Sequence, residues 1–438
     1  MKNMHGKQAT GEAAAFCPHA RACGGCAWAG VPYEQQLERK QRALVELFDG
    51  VAGEECLIHP ILGMDDPLGY RAKIVSPFAP APGKGKRVPR NALRTGRGGM
   101  VAARRELIRC GLYAAGSHRI VDIESCPVEH PVGRQVVAAV RALMARFGME
   151  PYNEDAGTGF VRHVVVRVGA QSGEVLATVV TNGREFVGAK NFCRELVRAV
   201  PAVTTVVQNV NTSSGNVILG SEERVLYGPG FILDTLCGLS FRISSHSFYQ
   251  TNARQTELLY RRALDFAGLT QLPRVIESGE SPLIVDAYCG TGTIGIVAAS
   301  AAPGAQVVGV DKVESAIRDA RQNAAHNGIA NARFVAADAG DYLASLAAQG
   351  SRPGVLFLDP PRAGASEQFL RAAASCAPER IVYISCNPNT QLRDVELLQT
   401  LGYKLTHLQA VDMFPHTPHA ECIALLSPVF QCAKREKR

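Results

Sequence analysis

The sequence of 438 residues lacks any long apolar run. Its first stretch, MKNMHGKQATGEAAAF, has no continuous apolar core of the kind that a signal peptide needs. No later stretch approaches the roughly 20 apolar residues of a membrane span. Internal repeats and low-complexity segments are absent as well. Hydrophobic residues make up 46% and charged residues 20%, values typical of a soluble globular protein. We therefore expect a cytoplasmic protein without a membrane partner.

The thirteen cysteines lack the even count of a disulfide framework, and no export signal accompanies them. Metal ligation and catalysis are better uses for those that cluster. Cys17, Cys23 and Cys26 lie within ten residues, around two glycines, and could converge on iron or zinc. Their spacing differs from that of radical enzymes that cleave S-adenosylmethionine. A fourth ligand must come from elsewhere, with Cys110 and Cys126 as candidates, and a four-thiolate zinc site stays open.

One segment lacks acidic residues while carrying much of the net charge of +7. Eight basic residues lie within residues 84–105: Lys84, Lys86, Arg87, Arg90, Arg94, Arg97, Arg104 and Arg105. Interleaved glycines and prolines predict an exposed hairpin or loop. Such a segment is suited to binding the phosphate backbone of a nucleic acid. A solvated basic loop without a ligand is an equal alternative.

The sequence pattern of the first half of the chain predicts mainly a β-rich domain. Residues 31–48 have helical periodicity through Tyr33, Leu37 and Leu44, which predicts a surface helix. Short β-rich runs follow between about 55 and 240 and predict a mainly antiparallel domain: 72–76, 163–168, 175–181, 204–210 and 216–219. One helix is predicted over 134–147. Gln250 precedes a predicted helix over 253–267, where its amide could meet a ligand, although the segment is typical of a simple helix start.

The second half predicts an α/β domain that binds a nucleoside. Leu283 begins a buried strand that runs through the glycine-rich turn around Gly290 into a helix, so the backbone can approach a ligand closely. A second strand ends in Asp311, 21 residues after Gly290, where nucleoside-binding folds place the acid that binds ribose hydroxyls. Asp338 closes a third strand, where it could read an adenine amino group.

Two further strands end in reactive side chains. One ends in Asp359 and two prolines, and the next ends in Cys386. Because ligands bind at the carboxyl ends of strands in an open α/β sheet, a thiol there suits a nucleophile, although many free cysteines are simply small buried hydrophobes. Glu421 directly precedes a terminal apolar strand. The glycine pattern also fits a nicotinamide dinucleotide, but the turn at Asp359 has no evident use in hydride transfer.

These motifs together resemble the RNA uridine C5-methyltransferases that carry an iron–sulfur cluster, a bacterial family that makes 5-methyluridine in ribosomal or transfer RNA. The motifs run from Cys17 to Leu426: C-x5-C-G-G-C, S-F-Y-Q-T-N, D-A-Y-C-G-T-G-T-I-G, L-D-P-P-R-A-G, S-C-N-P and M-F-P-H-T-P-H-x-E. The resemblance implies a Rossmann-like methyltransferase domain, preceded by a mainly antiparallel β-rich domain with a [4Fe–4S] cluster.

The resemblance also implies roles for individual residues. The cluster ligands would be Cys17, Cys23, Cys26 and Cys126. The residues in contact with S-adenosylmethionine would be Gln250, Tyr288, Gly290, Thr293, Asp311, Asp338 and Asp359. Cys386 would be the nucleophile that attacks carbon 6 of uracil, and Glu421 would remove the proton from carbon 5.

The predicted organisation has three parts: an iron–sulfur segment over 1–30, a β-rich RNA-binding domain over 31–243 and the methyltransferase domain over 244–438. Many members of the resembling family begin with a small β-barrel module. Since the cluster cysteines here start at residue 17, we expect that module to be absent. No obligate protein partner is inferred.

The expected activity is methylation of carbon 5 of a uridine in 23S ribosomal RNA. The T-loop uridine of transfer RNA is the alternative target of the same chemistry. Two alternatives belong to other classes of protein, namely an NAD(P)-dependent iron–sulfur oxidoreductase and a non-catalytic RNA-binding protein.

Overall fold

The computed structural model describes residues 15–82, 96–270 and 282–429. Contacts divide the chain into two compact units. The first unit contains the chain up to Tyr33 together with Asp66–Thr235 and Arg242–Ala253, and the second contains Glu34–Asp65, Leu236–Phe241 and the chain from Arg254 onward. The predicted domain boundaries remain predictions, and these units differ from them in placing 34–65 with the second half of the chain.

The helices and strands are numbered in chain order. They are α1 (Tyr33–Phe48), β1 (Leu57–Leu62), β2 (Lys73–Pro80), α2 (Gly96–Glu106), β3 (Ile108–Tyr113), β4 (Ile120–Asp122), α3 (Pro131–Phe147), β5 (Val161–Val168), β6 (Val175–Thr181), α4 (Ala189–Ala199), β7 (Val203–Val210), β8 (Glu222–Tyr227), β9 (Ile232–Leu236), β10 (Leu239–Ile243), α5 (Ala253–Ala267), β11 (Leu283–Ala287), α6 (Thr293–Ala301), β12 (Gln306–Asp311), α7 (Glu314–His326), β13 (Ala332–Ala336), α8 (Ala339–Ala348), β14 (Val355–Leu358), α9 (Glu367–Ser375), β15 (Arg380–Ser385), α10 (Pro388–Thr400), β16 (Tyr403–Val411) and β17 (Glu421–Pro428).

The first unit is built on a seven-stranded sheet in the order β4-β3-β2-β5-β6-β7-β8. Neighbouring strands are antiparallel except for β6 and β7, which α4 connects as a crossover. Every residue of β5 and β6 is buried, as their valine-rich composition favours. Helix α3 packs its apolar face on this sheet. It begins at Pro131 and ends at Phe147, and Gly148 follows with the left-handed backbone that is typical of a helix end.

Two predictions about local structure in this unit are wrong. Residues 216–219 form no strand, since the side-chain amide of Asn211 donates to the carbonyls of Val217 and Ile218 at 2.6 and 3.0 Å and holds them in a loop. The end of the basic segment forms helix α2 instead of a loop. Arg104 and Arg105 lie in its last turn, where positive charge favours a helix. Lys84, Lys86, Arg87, Arg90 and Arg94 lie outside the described residues.

The second unit is built on an eight-stranded sheet in the order β1-β16-β17-β15-β14-β11-β12-β13. Strand β17 is antiparallel to both of its neighbours, and all other pairs are parallel. The carboxyl ends of β11, β12, β13, β14 and β15 therefore meet at one edge. Five parallel strands with crossover helices give the α/β Rossmann-like architecture that the sequence predicted.

Helix α1 contributes to the core of the second unit. Leu44 and Phe48 pack against its sheet and helices. The buried stripe of α1 also contains two polar side chains, Gln36 and Lys40, which the predicted apolar stripe did not include. In the described part of the chain, no helix combines the length and the apolar character that crossing a membrane requires.

Candidate active site

A glycine-rich turn follows β11 at the carboxyl edge of the second unit's sheet. Tyr288, Gly290 and Gly292 all have positive φ, at 62°, 52° and 79°. A Cβ atom on Gly292 would lie 2.8 Å from the ring of Phe334, so the turn needs glycine for space as well as for conformation. The chain then enters α6 directly. This turn brings the backbone close to any ligand bound at the edge.

Two carboxylates follow the next two strands of the sheet, β12 and β13, on one side of this turn. Asp311 accepts hydrogen bonds from the backbone amides of Gly290 at 3.1 Å and Val313 at 2.8 Å. Asp338 caps α8 and accepts from the amide of Gly340 at 2.8 Å. Each ionised carboxylate has about four lone-pair positions, so both retain capacity for a ligand. Their placement suits the hydroxyl groups of a ribose and a neighbouring amino group.

Three other predicted cofactor residues differ in their surroundings. The ring of Tyr288 lies 5.0 Å from that of Phe369, and burial, with a smaller contribution from Asp338, raises its pKa to about 12. Its hydroxyl therefore stays protonated as a donor. The hydroxyl of Thr293 is 2.8 Å from that of Tyr260. Gln250 is half-buried and belongs to the first unit, whereas the other predicted cofactor residues belong to the second.

The predicted nucleophile and base come together across two antiparallel strands. Ser385 at the end of β15 pairs with Cys422 of β17, so the adjacent residues Cys386 and Glu421 face each other at the strand ends. Asp359 follows β14, the other neighbour of β15. Cys386 is half-buried, while Glu421 is only 2% exposed. Among the described residues, the Oε2 atom of Glu421 has no hydrogen-bond partner, which leaves it available for a reacting group.

Burial keeps these three groups protonated more strongly than usual. It raises the pKa of Asp359 to about 7. Burial and the charge of Asp359 raise the pKa of Glu421 to about 8. The pKa of Cys386 is raised by burial and by the two carboxylates. Perturbed titrating groups that cluster in this way are typical of catalytic sites.

Arg362 is a member of this cluster to which sequence analysis assigned no role. Its positive charge lowers the pKa of Cys386 and Glu421 against the effect of burial. Its backbone carbonyl accepts hydrogen bonds from the side chains of Asn387 at 3.1 Å and Thr390 at 3.3 Å. The D-P-P-R-A-G motif could have indicated this role. An arginine three residues after an acid at the end of a strand lies at the same carboxyl edge of the sheet as that acid.

The loop before Glu421 is held by the buried polar side chains of α1. Lys40 donates to the carboxylate of Asp412 at 2.5 Å and to the carbonyl of Phe414 at 3.1 Å. Gln36 accepts from the backbone amide of His416 at 2.8 Å. We call these contacts the α1 clamp. It joins residues separated by more than 370 positions, so no local pattern could predict it.

Replacing Lys40 with methionine should destabilise the protein. The ion pair of Lys40 with Asp412 is almost fully buried, with side chains 1% and 0% exposed. Removing one partner strands a buried charge, which costs about 3–5 kcal/mol. Lys404→Met is the matched control, because the pair of Lys404 with Glu55 is exposed. Chemical denaturation should show a large loss for Lys40→Met and almost none for Lys404→Met. Equal denaturation midpoints for the two variants would show that the α1 clamp does not stabilise the protein.

A separate cluster of thiols lies in the first unit. Four cysteines line one small cavity: Cys17, Cys23, Cys26 and Cys126. Arg71 lines the same cavity, whereas Cys110 is buried in the core of the sheet. Burial and then the neighbouring Cys126 raise the pKa of Cys26 to about 12. No group of three or more potential ligands in the described ranges is close enough to hold a single metal ion. The four thiols share the wall of this cavity.

The second unit thus combines a Rossmann-like sheet with a nucleoside-type edge, an arrangement that methyltransferases using S-adenosylmethionine share, and the comparisons with known proteins identify it as one of this class. A family model described as a methyltransferase domain matches residues 280–406. A solved structure of the tRNA (uracil-54, C5)-methyltransferase of Pyrococcus abyssi, in complex with S-adenosyl-L-homocysteine, is similar over 92% of this chain and 86% of that one. Its TM-score is 0.71 and its sequence identity 27%.

Curated relatives identify the family. An uncharacterised RNA methyltransferase of Halalkalibacterium halodurans is 37% identical over 411 residues, which cover 94% of this chain and 82% of the relative. One of Staphylococcus aureus strain COL is 37% identical over 412 residues, with coverage of 94% and 83%. The chain belongs to this family of RNA methyltransferases, and S-adenosylmethionine is its methyl donor. Of the predicted classes, the methyltransferase is therefore the one shown.

Proposed function

We propose that this protein transfers a methyl group from S-adenosylmethionine to carbon 5 of a uridine in RNA, through a covalent bond between Cys386 and carbon 6. The observation that carries this proposal is the apposition of Cys386 and Glu421 across β15 and β17, beside Asp359 and near the glycine-rich turn. A thiol with a carboxyl base beside it suits nucleophilic catalysis followed by proton removal. The likeness to the Pyrococcus abyssi enzyme, which acts on uracil, also supports it.

The reaction balances with these groups. The half-buried thiol of Cys386 first loses its proton to solvent. The thiolate then adds to carbon 6, and the electron pair of the carbon 5–carbon 6 double bond moves into an enolate. Carbon 5 then attacks the methyl group, and the carbon–sulfur bond of the sulfonium breaks to leave S-adenosylhomocysteine. Glu421 removes the proton from carbon 5. The freed electron pair restores the double bond and expels the Cys386 thiolate.

Arg362 and Asp359 would support these steps by electrostatics and position. Arg362 favours the thiolate of Cys386, because it is the cation that lowers the pKa of that thiol. The positive sulfonium of the bound donor would in turn favour the ionised carboxylate of Asp359. A uridine stacked in a helix hides its reacting atoms, so the target nucleotide must be flipped out or unpaired.

Ribosomal RNA is the target that we propose, as the sequence motifs imply. A uridine of transfer RNA is the second candidate, because the Pyrococcus abyssi enzyme is a tRNA methyltransferase. Mapping 5-methyluridine in both RNAs, from cells with and without this protein, separates the two. Loss of the modification from one site names the target. Unchanged 5-methyluridine in both RNAs would contradict the proposed activity.

We also propose that Cys17, Cys23, Cys26 and Cys126 hold a [4Fe–4S] cluster. The four thiols line a common cavity, and Arg71 at its wall would offset the negative charge of a cluster with four thiolates. When bound, the cluster supplies four iron–sulfur bonds that join the segment before Trp28 to the loop after β4. Methyl transfer involves no electron transfer, so its role would be to support fold or RNA docking.

Iron content tests this assignment. Anaerobically purified protein should be brown and contain about four irons per chain. Cys126→Ala should lower the iron content sharply because it removes a ligand. Cys110→Ala is the control, because Cys110 is buried in the sheet core and does not line the cavity. One zinc per chain, or equal iron in both variants, would overturn the proposal.

A further inference from the structure

The first unit contains a groove that neither the thiol cavity nor the methyl-transfer chemistry uses. It encloses about 780 Å³, within the range of ligand sites. Its walls come from the ends of β2 and β3, residues 117–120, the start of β5, the turn at 152–155 and the loop at 215–218. We call it the Tyr113 groove. It lies wholly within residues of the first unit.

Aromatic rings make up much of its wall. Tyr113 lies at the end of β3 and is 40% exposed. The ring of His118 lies 5.9 Å from it. The guanidinium of Arg162 lies over the ring of Tyr152 at 4.3 Å from its centre. Rings and guanidinium planes that face a groove are the surfaces on which unpaired nucleobases stack.

These side chains are held in place before any ligand arrives. Arg162 is 4% exposed and donates to the carbonyls of Asn211 and Ser213, both at 2.8 Å. The hydroxyl of Tyr113 is 3.3 Å from Nε2 of the buried His163. Burial, with the charge of Arg162, lowers the pKa of His163 to about 4, so this imidazole is neutral at pH 7. A fixed wall loses little conformational entropy when a ligand binds.

The groove also carries carboxylates with which a base can form hydrogen bonds. Glu154 and Asp155 both line the groove, and Glu154 pairs with His118 at 3.0 Å. Carboxylates repel phosphates, but they accept hydrogen bonds from the amino groups of adenine, cytosine and guanine. Two arginines also line the groove. Arg162 already donates to backbone carbonyls with one of its terminal nitrogens, whereas Arg119 is exposed.

We propose that the Tyr113 groove binds an unpaired nucleobase of the substrate RNA, distinct from the uridine that is methylated. Tyr113 provides the stacking surface, and the carboxylates at the rim accept hydrogen bonds from exocyclic amino groups. The inference rests on the proposed function only in taking RNA as the substrate. Through this groove, the first unit would contribute directly to recognition of the RNA sequence around the methylated uridine.

Binding of a short, labelled single-stranded RNA of mixed sequence to the full chain tests this without methyl transfer. Tyr113→Ala should weaken binding by about 5- to 100-fold, the range for one lost stacking contact. Tyr113→Phe should bind normally, because it keeps the ring. Tyr227→Ala is the matched control, since Tyr227 is similarly exposed at 44% on another strand of the same sheet and does not line the groove. The salt dependence should not change, because no phosphate contact is lost.

Photocrosslinking of the unsubstituted protein gives a second readout that does not depend on how the variants fold. RNA that contains 8-azidoadenosine, which keeps its exocyclic amino group, should crosslink to peptides with Tyr113 or Tyr152. Crosslinks confined to other peptides, or equal affinities for Tyr113→Ala and Tyr227→Ala, would overturn the groove as a base site. Absence of 5-methyluridine formation would instead contradict the proposed function and leave the binding result intact.

Discussion

Replacing Cys386 with alanine is expected to reduce methylation by about four orders of magnitude or more, the size of loss that follows removal of a catalytic nucleophile. Without the sulfur, carbon 5 of uracil stays part of a conjugated ring and cannot attack the sulfonium. Binding of S-adenosylmethionine should be unchanged, because the predicted cofactor residues around Gly290 are untouched. Single-turnover methylation of RNA and titration with the methyl donor measure these two quantities separately.

Cys56→Ala is the matched control for this experiment. Cys56 is also half-buried in the second unit, and burial likewise raises the pKa of its thiol. It lies just before β1, away from the strand ends that carry Cys386 and Glu421. Its loss should leave turnover close to the normal rate. If Cys386→Ala methylated RNA as fast as Cys56→Ala, the covalent mechanism would be wrong.

The strands and strand-end acids of the second unit were predictable because their pattern is local. Short apolar runs that stop at Asp311, Asp359 and Cys386 each mark one strand and its carboxyl end. In a parallel sheet those ends meet at one edge, so residues that end such strands are expected there. The structure has β14 beside β15, as the sequence suggested. The roles of these residues remain predictions.

Contacts over long sequence separations could not be predicted in this way. Strand β1 pairs with β16 across about 350 residues, and no feature of either strand specifies the other. Lys40 and Gln36 looked like ordinary solvent-exposed positions of an amphipathic helix, yet both are buried against the loop that precedes Glu421. The burial of such polar side chains cannot be read from the local sequence, because their hydrogen-bond partners lie far away in the chain and meet them only in the folded protein.

The predicted strand at 216–219 was wrong for a related reason. Its apolar residues favour a strand, but Asn211 satisfies their carbonyls with its side-chain amide, which replaces a neighbouring strand. Val217 is 65% exposed and lines the Tyr113 groove. An exposed apolar residue in a binding groove and a buried one in a strand cannot be distinguished by composition.

Replacing Glu421 with glutamine should trap the enzyme on its substrate. The amide cannot accept the carbon 5 proton, so the methylated adduct with Cys386 forms but does not resolve. A covalent protein–RNA complex should then accumulate and appear as a shifted band in a denaturing gel. The double variant Cys386→Ala with Glu421→Gln is the control and should give no such band. Rapid release of product by Glu421→Gln would exclude Glu421 as the base.

The same step predicts a pH dependence. Because burial and Asp359 raise the pKa of Glu421 to about 8, much of this group is protonated at neutral pH and cannot act as a base. The rate of adduct resolution should rise with pH up to about 8 and level off above it. In Glu421→Gln the remaining slow resolution should lose this dependence, since the titrating group is gone. A resolution rate that stays flat from pH 6 to 9 in the unsubstituted enzyme would assign proton removal to a different group.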